Sequence, residues 1–154
     1  MRAAPRVYLP LLGLIASCGG GDGGGTGPTT THQVAGPWTY ETRTLQDGHG
    51  NTCSTTGSLF TVTQSGNRAN IGGTLVGGTI NCTGTNPGSG SLGSGTLSSG
   101  AIRGDSIDFA VDQQTWRSVG KFITTDSLAG VVNAIYVVGG RQYILVGYWY
   151  SKRQ

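Results

Sequence analysis

Glycine, alone or beside an Asn or Asp, breaks this chain about every 8–12 residues, and apolar residues alternate between the breaks. No run has the periodicity of a long helix. Alternation puts successive side chains on opposite faces of a strand, so each segment reads as β with one inward and one outward row. Trp38 to Leu45 is the first strand, and Asp47-Gly48-His49-Gly50-Asn51 turns the chain back. Ser58 to Gln64 sends Phe60 and Val62 one way and Leu59, Thr61 and Thr63 the other. A short repeat follows: Gly73 to Cys82 aligns with Gly100 to Phe109, matching Leu75 with Ile102, Ile80 with Ile107 and Cys82 with Phe109. The central pairs, Gly77-Gly78 and Gly104-Asp105, suit tight turns at positive φ, so each copy is expected to be a hairpin with Cys82 facing the core. Between the copies, Gly84 to Gly100 is either a loop or a weakly patterned strand. Trp116 to Thr124 places Trp116, Ser118, Gly120 and Phe122 on one face. Leu128 to Val138 is nearly all apolar, which predicts a central strand or one buried on both sides. Tyr143 to Tyr150 is similar, with Gly139-Gly140 as the turn before it. The expected fold is all-β: an antiparallel meander of about eight strands, closed or nearly closed into an up-and-down barrel, because closure removes exposed edges.

A second pattern supports closure. Gly36-Pro37-Trp38 opens the domain and Gly147-Tyr148-Trp149 ends it. If the first and last strands are neighbours, the two indoles plug one end, with Lys152 or Arg153 across an indole face. A Gly-x-Trp on the first strand and a base after the last strand resemble lipocalins and related avidin-like barrels; Gly36, Trp38 and Arg153 fill those places. The resemblance implies a cup for a small apolar ligand. Trp38, Trp116, Tyr136, Tyr143 and Trp149, with Tyr148, are the aromatic equipment for that role. In a domain this small they are expected to fill the barrel more readily than to line a cavity.

The amino-terminal segment is organised differently. Arg2 and Arg6 precede a mostly apolar stretch from Val7 to Ala16, interrupted by Pro10. That stretch is too short for a bilayer span of about 20 residues and suits a cleaved export signal. Ile15, Ala16, Ser17 and Cys18 then resemble the bacterial lipobox. The resemblance implies diacylglycerol transfer to the Cys18 thiol, cleavage after Ser17 and acylation of the new amino terminus. More than one chain is needed for a stable anchor, because a single acyl chain binds a membrane only reversibly. Residue 19 is Gly and not Asp, which by the same resemblance favours the outer membrane. The expected organisation is a signal peptide over 1–17, a lipidated Gly/Thr-rich tether over 18–33, and a barrel domain over 34–154. The glycines at 19–25 occur once, so they read as tether and not as a calcium-binding repeat.

Cysteine usage follows from the anchor. Of the 3 cysteines, Cys18 is taken by lipid, which leaves Cys53 and Cys82 in an oxidising compartment. They are expected to form a disulfide closing a loop of about 30 residues. A redox pair or a metal site is the alternative, but there is no Cys-x-x-Cys, and two thiols with two distant histidines make no zinc shell.

Charge and motifs narrow the function. The whole chain carries +3, and cleavage would remove Arg2 and Arg6 from its 10 bases, leaving eight against 7 acids. Only Lys152-Arg153 clusters in the barrel domain, so nucleic acid is not an expected partner. His49 beside Asp47 reads as a polar turn held by Asx hydrogen bonds. No Gly-x-Ser-x-Gly, His-Glu-x-x-His or phosphate-binding loop is present. Asp108 and Asp112 alternate outward beside Asp105 and read as a solvated face. The expectation is therefore a non-catalytic lipoprotein of the bacterial envelope, with no cofactor and no metal. Its partner is the membrane, through Cys18, together with an envelope protein. The alternative is a lipocalin-like binder of a small apolar ligand.

Overall fold

The computed structural model describes residues 32–65, 69–112, 115–138 and 141–154. They form ten antiparallel strand segments: β1 (Gly36–Gln46), β2 (Asn51–Gln64), β3 (Asn70–Val76), β4 (Thr79–Gly84), β5 (Gly88–Ser91), β6 (Gly95–Arg103), β7 (Ser106–Val111), β8 (Trp116–Thr124), β9 (Ser127–Val138) and β10 (Arg141–Arg153). β1 pairs with both β10 and β2, and this closes an eight-stranded meander. The expected all-β barrel is the observed one.

β4 and β5 are the two additional segments, and register explains them. Residues 59–64 of β2 pair with β3, residues 51–56 pair with β4, and one register runs through both, from Leu59↔Val76 to Thr56↔Thr79. β3 and β4 are thus one long strand alongside β2. Likewise Leu75↔Gly95 and Thr79↔Ser91 continue each other, and the Leu92 N–H bridges the gap by donating to the Gly78 carbonyl at 2.9 Å. β5 and β6 are therefore the returning strand, which selects the strand alternative for Gly84–Gly100.

This corrects the first hairpin. Gly77 and Gly78 do have positive φ, +68° and +96°, but they kink a strand that keeps going. A Cβ at Gly78 would meet Ser58 Oγ at 2.3 Å and the Thr56 carbonyl at 2.8 Å, so glycine lets the kink sit tight against β2. The second copy does reverse: Arg103 faces Ser106 across Gly104-Asp105. Local sequence allows turn or kink at a positive-φ pair, and the partner strand decides.

The core lies inside the barrel. Trp38, Tyr40, Phe60, Phe109, Leu128, Val132, Leu145 and Trp149 are fully buried there. Phe60 and Val62 face in while Leu59, Thr61 and Thr63 face out, as their alternation predicts. Trp116, Ser118 and Gly120 are buried and Phe122 half-buried, also as predicted. The expectation for Leu128 to Val138 needs correction. Leu128, Val132 and Ala134 of its inner row are buried, but Val131 and Ile135 are exposed on the outside. A single-layer barrel wall has only one covered face, however apolar the strand.

Candidate functional site

The meander puts the loops at 47–50 and 85–87, with the last residues of β7 and β9, at one end of the barrel. The other end carries the last residues of β2, the turns at 104–105 and 125–126 and both termini of the described chain. Arg153 closes this terminal end. It faces Trp38 in register, and its guanidinium lies 4.5 Å above the indole. The same group donates to the Ala35 carbonyl at 3.0 Å and to the Gln33 carbonyl, and meets Asp126 at 3.2 Å. Residues 32–35 are thereby strapped across the opening. Val34 is fully buried, and its carbonyl accepts the Trp38 indole N–H at 2.8 Å. Gln64 bonds the strap twice, accepting from Val34 N and donating to the His32 carbonyl. His32 stacks on Phe122, with ring centroids 3.7 Å apart, and reaches Asp105 at 2.8 Å.

The first and last strands are neighbours as expected, but the two indoles do not share an end. Trp149 faces Thr42, four residues along β1 from the Trp38 position. It stacks on Tyr40 with centroids 5.6 Å apart and meets Phe109 edge to face at 5.4 Å. Phe60 stacks on Phe109 at 5.0 Å, and Tyr40 meets Trp116 at 5.6 Å. Five rings therefore pack on one another across the middle of the barrel, worth about 0.5–1.5 kcal/mol per pair beyond burial. Tyr40, Phe60 and Phe109 belong to this cluster beside Trp116 and Trp149, the two candidate aromatics that reach it. Their signal was the alternation that aims each at the core.

The other candidates scatter. Tyr143 is half-buried against the core, towards the 47–50 end. The backbone of Tyr136 pairs with Tyr143, while its side chain lies outside those described. Tyr148 faces outward and is 64% exposed, so it belongs to no interior cluster. The polar groups inside the ring cluster are satisfied. Trp116 Nε1 donates to the Tyr40 hydroxyl at 2.9 Å, and that hydroxyl bonds Ser118 Oγ at 2.9 Å. Burial pushes the Tyr40 hydroxyl far above the usual phenol range, and the bonds to Ser118 and Trp116 pull it only part of the way back.

At the 47–50 end, Asp47 is fully used. Its side chain accepts from Asn51 Nδ2 at 2.6 Å and from the backbone of His49 and Asn51 at 2.7 and 3.1 Å. The Asn51 amide, helped by those N–H groups, holds the carboxyl below its usual range. The Asx turn is as read, and the carboxylate orients a loop instead of an imidazole. His49 is exposed. Among the described residues no three His, Cys, Asp or Glu side chains are placed to hold a metal.

Cys53 and Cys82 face each other on β2 and β4, with Cα atoms 4.0 Å apart, and are joined as a disulfide. Cys53 is buried and Cys82 packs half-buried on the core, as its aligned position predicts. Cys18, the expected signal over 1–17 and residues 18–31 of the expected 18–33 tether lie outside the described residues, whereas His32 and Gln33 are described and belong to the strap.

The outer wall of β8, β9 and β10 holds the surface that sequence reasoning missed. Tyr148, Val131 and Val119 form one exposed cross-strand row, and Ile144 and Ile135 form another. Val146, 52% exposed, lies between these rows. Beside it β1 bulges between Arg43 and Gln46, with Thr44 at φ +54°. Gly147 permits the bulge, since a Cβ there would meet the Thr44 carbonyl at 2.7 Å. The result is an open groove of about 600 Å³ along Thr44, Ile144, Val146 and Tyr148.

No protein-family model, no curated protein and no solved structure matches this chain.

Proposed function

We propose that this chain is a lipid-anchored protein of the bacterial envelope whose small barrel is a non-catalytic interaction module. The observation that carries the reading is the uncovered apolar wall of β8–β10. Contiguous exposed aliphatic surface on a soluble domain marks a place where another surface docks. The interior argues in the same direction, because the middle of the barrel is occupied by its own rings. Residues 14–17 direct the processing and Cys18, then the first residue, carries the acyl chains of the anchor. The tether then joins the barrel at the strapped terminal end, so the loops at 47–50 and 85–87 point away from the attachment.

Fractionation tests the anchor. Cys18→Ser is expected to move the protein from the membrane to the soluble fraction, and mass spectrometry of the wild-type amino terminus is expected to find acyl mass on residue 18. An uncut, unmodified terminus, or a Cys18→Ser variant still held by membranes, overturns this reading.

A second reading is a lipocalin-like binder of a small apolar ligand. It is favoured by the eight-stranded meander capped at one end by Arg153 over Trp38, with Tyr143 half-buried towards the other. It expects saturable quenching of tryptophan emission by an apolar fatty acid. A flat titration removes it.

A further inference from the structure

We infer that the β8–β10 wall is the interface of a two-fold dimer of this chain. The inference deepens the interaction reading above and rests on it, but does not depend on the lipid anchor.

Area is the first argument. The six exposed side chains of the wall offer roughly 500–600 Å² of apolar surface, the upper end of what a monomer leaves bare. A standard interface buries about 800 Å² per partner, so the apolar side chains would supply most of one and the flanking polar residues its rim. The wall is a sheet face, and two such faces pack directly on one another, as in a sandwich.

Charge placement is the second argument, and it selects a second copy as the occupant. Glu41 pairs with Tyr150, Tyr150 with Ala129, and Ala129 with Lys121, so the four form one row across the outside of β1, β10, β9 and β8. An acid ends the row on one border and a base ends it on the other. A two-fold axis along the strands, between β9 and β10, lays β1 of each copy over β8 of the other. Glu41 of each copy then meets Lys121 of the other, and Tyr148 meets Val131. An isologous interface must be self-complementary in this way. Among the described residues of one copy, Glu41 makes a loose contact with Arg43 at 3.7 Å.

Sedimentation equilibrium of the full exported chain at micromolar concentration tests this. The expected result is twice the chain mass. Val146→Asp is expected to halve it, with near-ultraviolet circular dichroism unchanged because the substitution touches no core ring. Glu41→Lys alone is expected to weaken the dimer at least tenfold, and Glu41→Lys with Lys121→Glu to restore it. A monomer at 100 times that concentration overturns the inference, as does a dimer indifferent to all three variants. A monomer that sediments with anionic vesicles, or with an envelope protein, through this wall also overturns the dimer while sparing the interaction reading. A wall that binds nothing removes both, and the Cys18 fractionation still stands by itself.

Discussion

The Trp149 indole lies against Gly130, its direct partner on the neighbouring strand: a Cβ added at residue 130 would sit 2.8 Å from Trp149 Nε1. Gly120, next across the sheet, faces Gly130, and a Cβ there would meet the same ring at 2.6 Å. Two adjacent glycines thus form a flat shelf on β8 and β9 for the ring, whose Nε1 donates to the Val119 carbonyl at 3.3 Å. The shelf admits an indole into a cluster that already holds four other rings. Gly130→Ala is expected to destabilise by about 2–3 kcal/mol, the upper part of the overpacking range, because its Cβ would also meet the Val119 carbonyl at 2.0 Å. Gly88→Ala, with nothing within 4 Å, is the control and is expected to be near neutral. Urea denaturation measures both, and equal stability of the two variants would refute the shelf.

Arg153→Ala should open the terminal end. It removes the cation above Trp38 and leaves the Ala35 and Gln33 carbonyls without their donor. The expected loss is about 2–3 kcal/mol by thermal melting. Arg153→Lys is expected to recover only part of it, since an ammonium cannot span the strap and cover the ring together. Full rescue by lysine would mean that charge alone matters.

Tyr40 makes stability depend on alkaline pH. Its folded-state pKa is raised by burial, so above about pH 10 the unfolded chain loses a proton that the folded chain keeps. Its contribution is complete below pH 10 and declines as pH rises beyond it, by up to about 1.4 kcal/mol per pH unit. Tyr40→Phe is expected to cost about 1–3 kcal/mol at pH 8 by stranding Ser118 and Trp116, yet to decline less steeply above pH 10. Denaturant melts between pH 8 and 11 give both quantities, and parallel declines would reject the assignment.

The disulfide ties the β4 extension to β2. Non-reducing peptide mapping should recover Cys53 linked to Cys82. Replacing both by serine is expected to cost about 2–4 kcal/mol, on the argument that the bridge restricts the unfolded chain. An unchanged urea midpoint after reduction would show that β2–β4 pairing holds without it.

Much of the fold was legible because alternation is a local signal. Phe60 and Val62 had to face opposite to Leu59 and Thr61 in any strand, and Trp38 and Trp149 in matched Gly-x-Trp contexts pointed to paired terminal strands. Gly77-Gly78 was misread because a positive-φ pair fits a reversal and a kink equally, and the choice belongs to Ser58 and Thr56 on another strand. Val131 and Ile135 were misread because hydropathy records what a residue prefers and not whether a neighbour is there to cover it. The ring cluster was half seen: the indoles stood out by rarity, whereas Tyr40 became central only when closure brought Ser118 and Trp116 to its hydroxyl.

The sequence by itself determined the all-β class and the inward rows of most strands, since side-chain period and glycine act along the chain, and it put Cys53 and Cys82 on the strands that the disulfide joins. Sequence also anticipated a base across an indole; tertiary structure decided that it is Arg153 over Trp38, that Gly130 makes room for Trp149, and that one wall stays bare. Each of these depends on which strands become neighbours when the sheet closes, and on the curvature that leaves a single-layer wall with an inside and an outside.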